Sequence, residues 1–102
     1  MPKKHYLTRE QFRVLTWVAQ GYECVRTTHP NSSKRAWLLD IPGKDPWWCT
    51  AVVKALFRHR LADYAEYDDA VLDSIQITDE AEPAMMDYLE RLRKHREYKE
   101  VA

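Results

Sequence analysis

Glycine is scarce in this chain, with two in 102 residues. That excludes the glycine-rich loops whose backbone amides cradle phosphate groups, and it argues against fibrous or linker-like organisation. Cysteine is as scarce. Cys24 and Cys49 are too few for the disulfide framework of a small secreted scaffold. Reduced thiols in a cytoplasmic protein are expected, with a single Cys24–Cys49 bridge as the alternative. Net charge is zero, unlike the basic balance of a general nucleic-acid coat. No apolar run approaches membrane-spanning length, and no apolar segment follows the opening Met-Pro-Lys-Lys-His, so neither membrane insertion nor a secretory leader is expected.

What is present suits one small domain spanning 1–102. Apolar residues make up 45% of the chain and charged residues 31%, and twelve aromatics supply core and contact area. The charges are segregated. Residues 1–61 hold eleven Lys and Arg against four Asp and Glu, a balance of +7, whereas residues 62–102 hold five against twelve, a balance of −7. A basic front half can steer towards an anionic partner. Folding can equally interleave the two halves and cancel the field.

Residues 1–6 read as a basic arm. Thr8 with Gln11 forms a capping box, and Phe12, Val14, Leu15, Val18 and Ala19 recur at helical spacing, so a helix is expected over 9–20 with Gly21 just past its end. Tyr22–Thr28 and Arg35–Ile41 are rich in β-formers around the turn residues His29–Ser33, which gives a hairpin at 22–41. Asp45 is placed to cap a second helix with Pro46 in its first position and Cys49, Val52, Val53, Leu56 and Phe57 as its buried stripe, reaching Leu61. Ala62–Tyr67 and Val71–Thr78 form a second hairpin with Asp68-Asp69 at its tip. A last helix follows, with Met85, Tyr88, Leu89 and Leu92 as its apolar stripe and a charged, fraying tail at 95–102.

The segment Val53-Lys-Ala-Leu-Phe-Arg-His-Arg-Leu-Ala-Asp-Tyr64, then Asp68-Asp69, then Ile75-Gln-Ile-Thr-Asp-Glu-Ala81 resembles the stretch of winged helix-turn-helix regulators where the recognition helix ends, the wing follows and the closing helix opens. Leu7-Thr-Arg-Glu-Gln-Phe-Arg-Val-Leu15 is similar to the first helix of that group and to the opening of short phage and prophage proteins. The resemblance covers positions 7–20 and 45–95. It implies an α+β, winged-helix-like fold of three helices with a C-terminal β-hairpin wing, beside which stands the second hairpin at 22–41 where the group has its second helix. It further implies a small DNA-binding transcriptional regulator of phage or prophage type, with the 83–96 helix as a homodimer contact. Packing of that helix on its own core is the competing reading.

The expected DNA-contacting residues are Trp47, Thr50, Lys54 and Arg58 on the exposed face of the 46–61 helix, where long polar side chains can reach base edges in double-stranded DNA. Lys34, Arg35 and Lys44 in flanking loops would neutralise phosphates. The alternative is a non-enzymatic interaction module that binds and modulates a host protein. Trp47 would then be its exposed anchor and the acidic tip Asp68-Asp69 would face a basic partner. Trp37 and Trp48 are expected in the core. Cys24, His29, Cys49 and His59 are spaced too widely for a structural zinc motif, so no metal is expected. No Ser-His-Asp arrangement or paired catalytic carboxylate in a cleft is visible, so no enzyme activity and no cofactor are expected.

Overall fold

The computed structural model describes residues 6–101, with side chains over 6–96. The expected basic arm, apart from Tyr6, lies outside the described residues.

Thr8 opens the first helix, α1 (Arg9–Ala19), as its N-cap. Its hydroxyl accepts the Gln11 N–H at 3.2 Å while its own N–H donates to Gln11 Oε1 at 3.1 Å, so the capping box is formed as expected. Gln20 caps the far end, and Gly21 follows with φ +100°, a left-handed conformation that glycine adopts at little cost. The first hairpin is present as β1 (Cys24–Thr28) and β2 (Arg35–Leu39).

The largest departure comes next. Where the sequence predicts the first turn of a helix, Trp47–Trp48 form a short strand, β3, pairing with Leu39 and Leu38 of β2. A turn in which Lys44 N–H donates to the Ile41 carbonyl carries the chain back to β2. Setting two tryptophans against two leucines outweighs the local capping signal of Asp45 and Pro46. The helix, α2 (Thr50–Arg58), begins later. Its N-cap is Cys49, whose side chain makes no capping bond. The junction is held from outside the helix: Trp37 N–H donates to Thr50 Oγ1 at 3.0 Å, and Cys49 N–H donates to the Trp37 carbonyl at 2.9 Å.

β4 (Ala62–Tyr67) and β5 (Ala70–Ile77) form the second hairpin, with Asp68 and Asp69 as its two-residue turn. Both aspartates have positive φ, 52° and 63°, as the tight turn matching strand twist requires. The last helix, α3, runs from Ala81 to Val101, past the point at 95 where a loose tail is expected.

All five strands join one antiparallel sheet in the order β3-β2-β1-β5-β4. The chain is thus an α+β fold of three helices and a five-stranded antiparallel sheet. β1 pairs with β5, so the two hairpins join edge to edge in this sheet.

Alternation along the strands gives the sheet two distinct faces. Cys24, Trp37, Leu39, Ala62 and Ile75 point to one side and join Val14 and Leu15 of α1 with Val53 and Leu56 of α2 in a single buried core. Burying a side chain such as Leu39 or Leu56 completely contributes roughly 1.5–3 kcal/mol. α3 lies alongside α1, where Tyr88 stacks on Phe12 with ring centroids 4.3 Å apart.

Candidate interaction surfaces

The expected DNA-contacting set is dispersed by the fold. Lys54 and Arg58 are exposed one turn apart on α2, as predicted, and neither makes an ion pair among the described residues. Trp47 and Thr50 do not share their face. Trp47 sits in β3 and packs against the core, with the Arg13 guanidinium 5.7 Å from its ring centre. Thr50 is half-buried and its hydroxyl is turned onto β2. The reason is the later helix start, which removes the N-terminal turn that was to present all four side chains.

The loop cations part company as well. Lys44 lies 4.8 Å from the ring centre of Trp17, against α1. Arg35 is tied to Asp73 at 3.0 Å. Lys34 stands exposed in the β1–β2 loop, its N–H bonded to Ser32 Oγ at 3.2 Å.

Arg26, counted in the sequence only towards net charge, organises the joint between the hairpins. Its guanidinium donates to Asp73 Oδ1 at 2.8 Å and to the Tyr64 hydroxyl at 3.2 Å, and it lies 5.4 Å from the centre of the Tyr64 ring. Asp73 therefore bridges Arg26 of β1 and Arg35 of β2. The hydrogen bond from Arg26, aided by the Arg35 charge, holds the Asp73 carboxyl below its ordinary pKa. The two halves of the chain interleave here, and part of the sequence-level charge segregation is cancelled at this contact.

Opposite the helices, the sheet face is uncovered by any helix among the described residues. Trp48, Leu38, Val25 and Ser74 are register neighbours across β3, β2, β1 and β5, so they form one row over four strands. Trp48, Leu38 and Val25 are half-buried and stand outside the core cluster. The expected roles of the tryptophan pair are therefore reversed: Trp47 faces the core and Trp48 the open side. His29 packs on Trp48 with ring centroids 4.4 Å apart. Leu72 and Tyr67, on the same side by alternation, are 40% and 75% exposed. No Lys or Arg of the five strands points to this side, whereas Asp63 does and Asp68-Asp69 close one end. Period-2 alternation in 22–41 marks which residues share a face, but only the placement of the helices shows which face is left bare.

The remaining candidates carry no visible chemistry. Cys24 and Cys49 are buried with Sγ atoms 3.8 Å apart. The bond from Cys49 and the loss of water push the Cys24 thiol above the ordinary thiol range, which keeps it protonated. Among the described residues no three His, Cys, Asp or Glu side chains cluster to hold a metal ion, and no helix is long and apolar enough to cross a membrane. A depression of about 490 Å³ between Phe57, Arg60, Asp63, Asp79 and Glu80 is wide open to solvent. A second, of about 470 Å³, lies where α1 ends beside Ala65, Leu72 and Gln76, and it extends the open sheet face. Comparison with protein-family models, curated proteins and solved structures finds no match for this chain.

Proposed function

We propose that this chain is a non-enzymatic protein-interaction module that engages a partner protein through the uncovered face of its sheet. The observation that carries this reading is the row Trp48–Leu38–Val25, continued by Leu72 and Tyr67, with no helix over it and no cation within it among the described residues. A half-buried aromatic among aliphatic side chains is the composition of an interface anchor. The acids at its margin, Asp63, Asp68 and Asp69, select an apolar surface with a basic rim. Binding through this face would modulate the partner by occupying its surface.

The test is affinity capture from lysate with the wild type, then reconstitution of the captured protein in pure form and titration against Trp48→Ala and Leu38→Asp. Trp48→Ala should weaken binding by about 2 kcal/mol, as removal of an interface hot spot does. A reconstituted partner whose affinity is unchanged by both substitutions sinks the proposal.

A second reading, a DNA-binding transcriptional regulator, is favoured by one observation: Lys54 and Arg58 are exposed together on α2 without ion-pair partners among the described residues. Against it, α2 begins at Thr50 with its first turn docked on β2, and Arg35 and Lys44 are engaged elsewhere. This reading predicts duplex binding that falls steeply with salt and is lost in Lys54→Glu/Arg58→Glu. Absence of binding to a mixed-sequence duplex at low salt removes it.

A further inference from the structure

The sheet ends in two unlike edges. β3, at one edge, is two residues long, and so short a strand offers little to pair with. β4, at the other, runs for six residues, and among the described residues no strand lies beyond it. One bond fixes the direction of its backbone groups. The Leu61 carbonyl accepts the Thr78 N–H at 3.1 Å, so Leu61 faces β5. Backbone groups alternate along an antiparallel strand, so Asp63 and Ala65 also face β5, while Tyr64 and Glu66 face outward. The irregularity between Tyr64 and Glu66 leaves this alternation intact, because the extra residues lie on β5. The far end agrees: Tyr67 pairs with Ala70 across the two-residue turn. Tyr64 N–H donates to Oδ1 of the adjacent Asp63 at 2.8 Å, so a side-chain oxygen stands where the carbonyl of a further strand would stand. The Tyr64 carbonyl and the Glu66 N–H and carbonyl have no partner among the described residues.

The charge at this edge determines what a further strand would carry. Residues 61–90 hold ten Asp and Glu and no Lys or Arg. Three of the ten are matched: Asp73 by Arg26 and Arg35, Asp87 by Arg91, and Glu90 by Arg93. The other seven make no ion pair among the described residues. Four of these flank the free edge and are exposed: Asp63 on the open side of the sheet, Glu66 on the helix side, and Asp68 and Asp69 at the tip. The cations nearby do not offset them. Arg26 and Arg35 are held by Asp73, and Arg60, at the start of the edge, lines a depression with Asp63, Asp79 and Glu80 without an ion pair among the described residues. A second copy of this chain is a poor occupant, because edge-to-edge pairing of two such strands sets carboxylates against carboxylates.

We infer that the free edge of β4 takes up an extended, lysine- or arginine-bearing segment of a partner protein as a sixth strand of the sheet. Asp63 Oδ1 gives up the Tyr64 N–H to a carbonyl of that segment, and its carboxylate turns to a cation on the same segment. Glu66 contributes its outward N–H and carbonyl to the new ladder and its carboxylate to a second cation. Asp68 and Asp69 receive a third at the tip. Main-chain bonds supply the affinity and the carboxylates choose the sequence. The edge is a surface separate from the open face and meets it at Asp63. The inference therefore stands whether or not the open face is occupied.

The experiment is NMR titration of the full chain at low salt with a short peptide of lysine and valine, against a counterpart with glutamate in place of lysine. The lysine peptide should shift the Tyr64 and Glu66 amides and slow their exchange with solvent, and the glutamate peptide should not bind. Glu66→Gln keeps the N–H and removes the charge, and it should weaken binding about threefold. Glu66→Pro also removes the outward N–H, and it should weaken binding at least about tenfold; proline is tolerated where a strand N–H faces solvent. The lysine peptide N-methylated at every residue should bind the wild type at least about tenfold more weakly, a comparison that needs no variant to fold. Trp48→Ala, which tests the open face, should leave the peptide affinity unchanged. The inference is overturned if the lysine peptide causes no shift, or if both charge types bind equally. It is overturned too if Glu66→Pro is no weaker than Glu66→Gln, if N-methylation has no effect, or if Trp48→Ala abolishes binding.

Discussion

The two faces of the sheet are made by alternate residues of the same strands, and they have opposite fates. On β2, Trp37 and Leu39 are 4% and 0% exposed beneath the helices, while Leu38 between them looks out on the open side half-buried. The three are neighbours in sequence and similarly apolar. What separates them is whether a helix arrives. α1 and α2 close one side, and α3, which has the length to cover the other, lies along α1 instead. An apolar strand residue thus measures capacity for burial, and the connections decide whether that capacity is met within the chain or by something outside it.

The strongest way to break this comparison is at Leu39 and Leu38. Leu39→Ala should cost roughly 2–5 kcal/mol, because it removes a fully buried side chain and leaves a cavity in the core. Leu38→Ala, on the open face, should cost about 1 kcal/mol or less. Urea unfolding of both variants checks the difference. Equal losses would mean that the open side is covered in the folded protein.

The adjacent tryptophans sharpen the same point with a smaller effect. Trp47 packs against the core and Trp48 does not. Trp47→Ala should lower unfolding stability by about 2 kcal/mol, whereas Trp48→Ala should cost less than half of that, its main contact being the His29 ring. Thermal melts of the two variants decide it. A larger loss at Trp48 would invert the assignment of the two sheet faces.

These tryptophans also mark where the sequence stops being legible. The Thr8 capping box, both hairpins, the Asp68-Asp69 turn and the apolar stripes of α1 and α2 can be read locally, because each is set by residues within a turn or two of one another. The start of α2 cannot. Asp45-Pro46 offers a sound cap, but Leu38 and Leu39, some eight residues earlier in the chain, capture Trp47 and Trp48 into the sheet. The candidate site fared worse for the same reason. Lys54 and Arg58 are neighbours on one helix and stay together, whereas Arg35, Lys44 and Trp47 were grouped with them by position in the chain and are separated by the sheet order. The joint of Arg26, Tyr64 and Asp73 draws on residues far apart in sequence and has no local signature.

That joint gives the smallest effect, and its sign can be worked out. Asp73 is about half exposed, and its carboxyl is held below the ordinary Asp value by the Arg26 hydrogen bond and the charge of Arg35. A carboxylate whose folded pKa is depressed contributes stability above its unfolded pKa and loses it as pH falls through the folded value. Wild type and Asp73→Asn should therefore differ slightly in denaturation midpoint near neutral pH and converge in acid. Because the side chains of Arg26, Arg35 and Asp73 are one-third to about one-half exposed, the difference should also shrink with added salt. Carbon-detected NMR titration should find the Asp73 carboxyl titrating below the ordinary Asp range, and raised towards it in Arg26→Gln. The contact matters to the two-face comparison because it lies on the helix side of the sheet, beside the buried core, and ties β5 to β1 and β2 there through half-exposed polar side chains. If Asp73→Asn left the midpoint unchanged at every pH and salt, the two hairpins would be held as one sheet by β1–β5 pairing and the shared core alone.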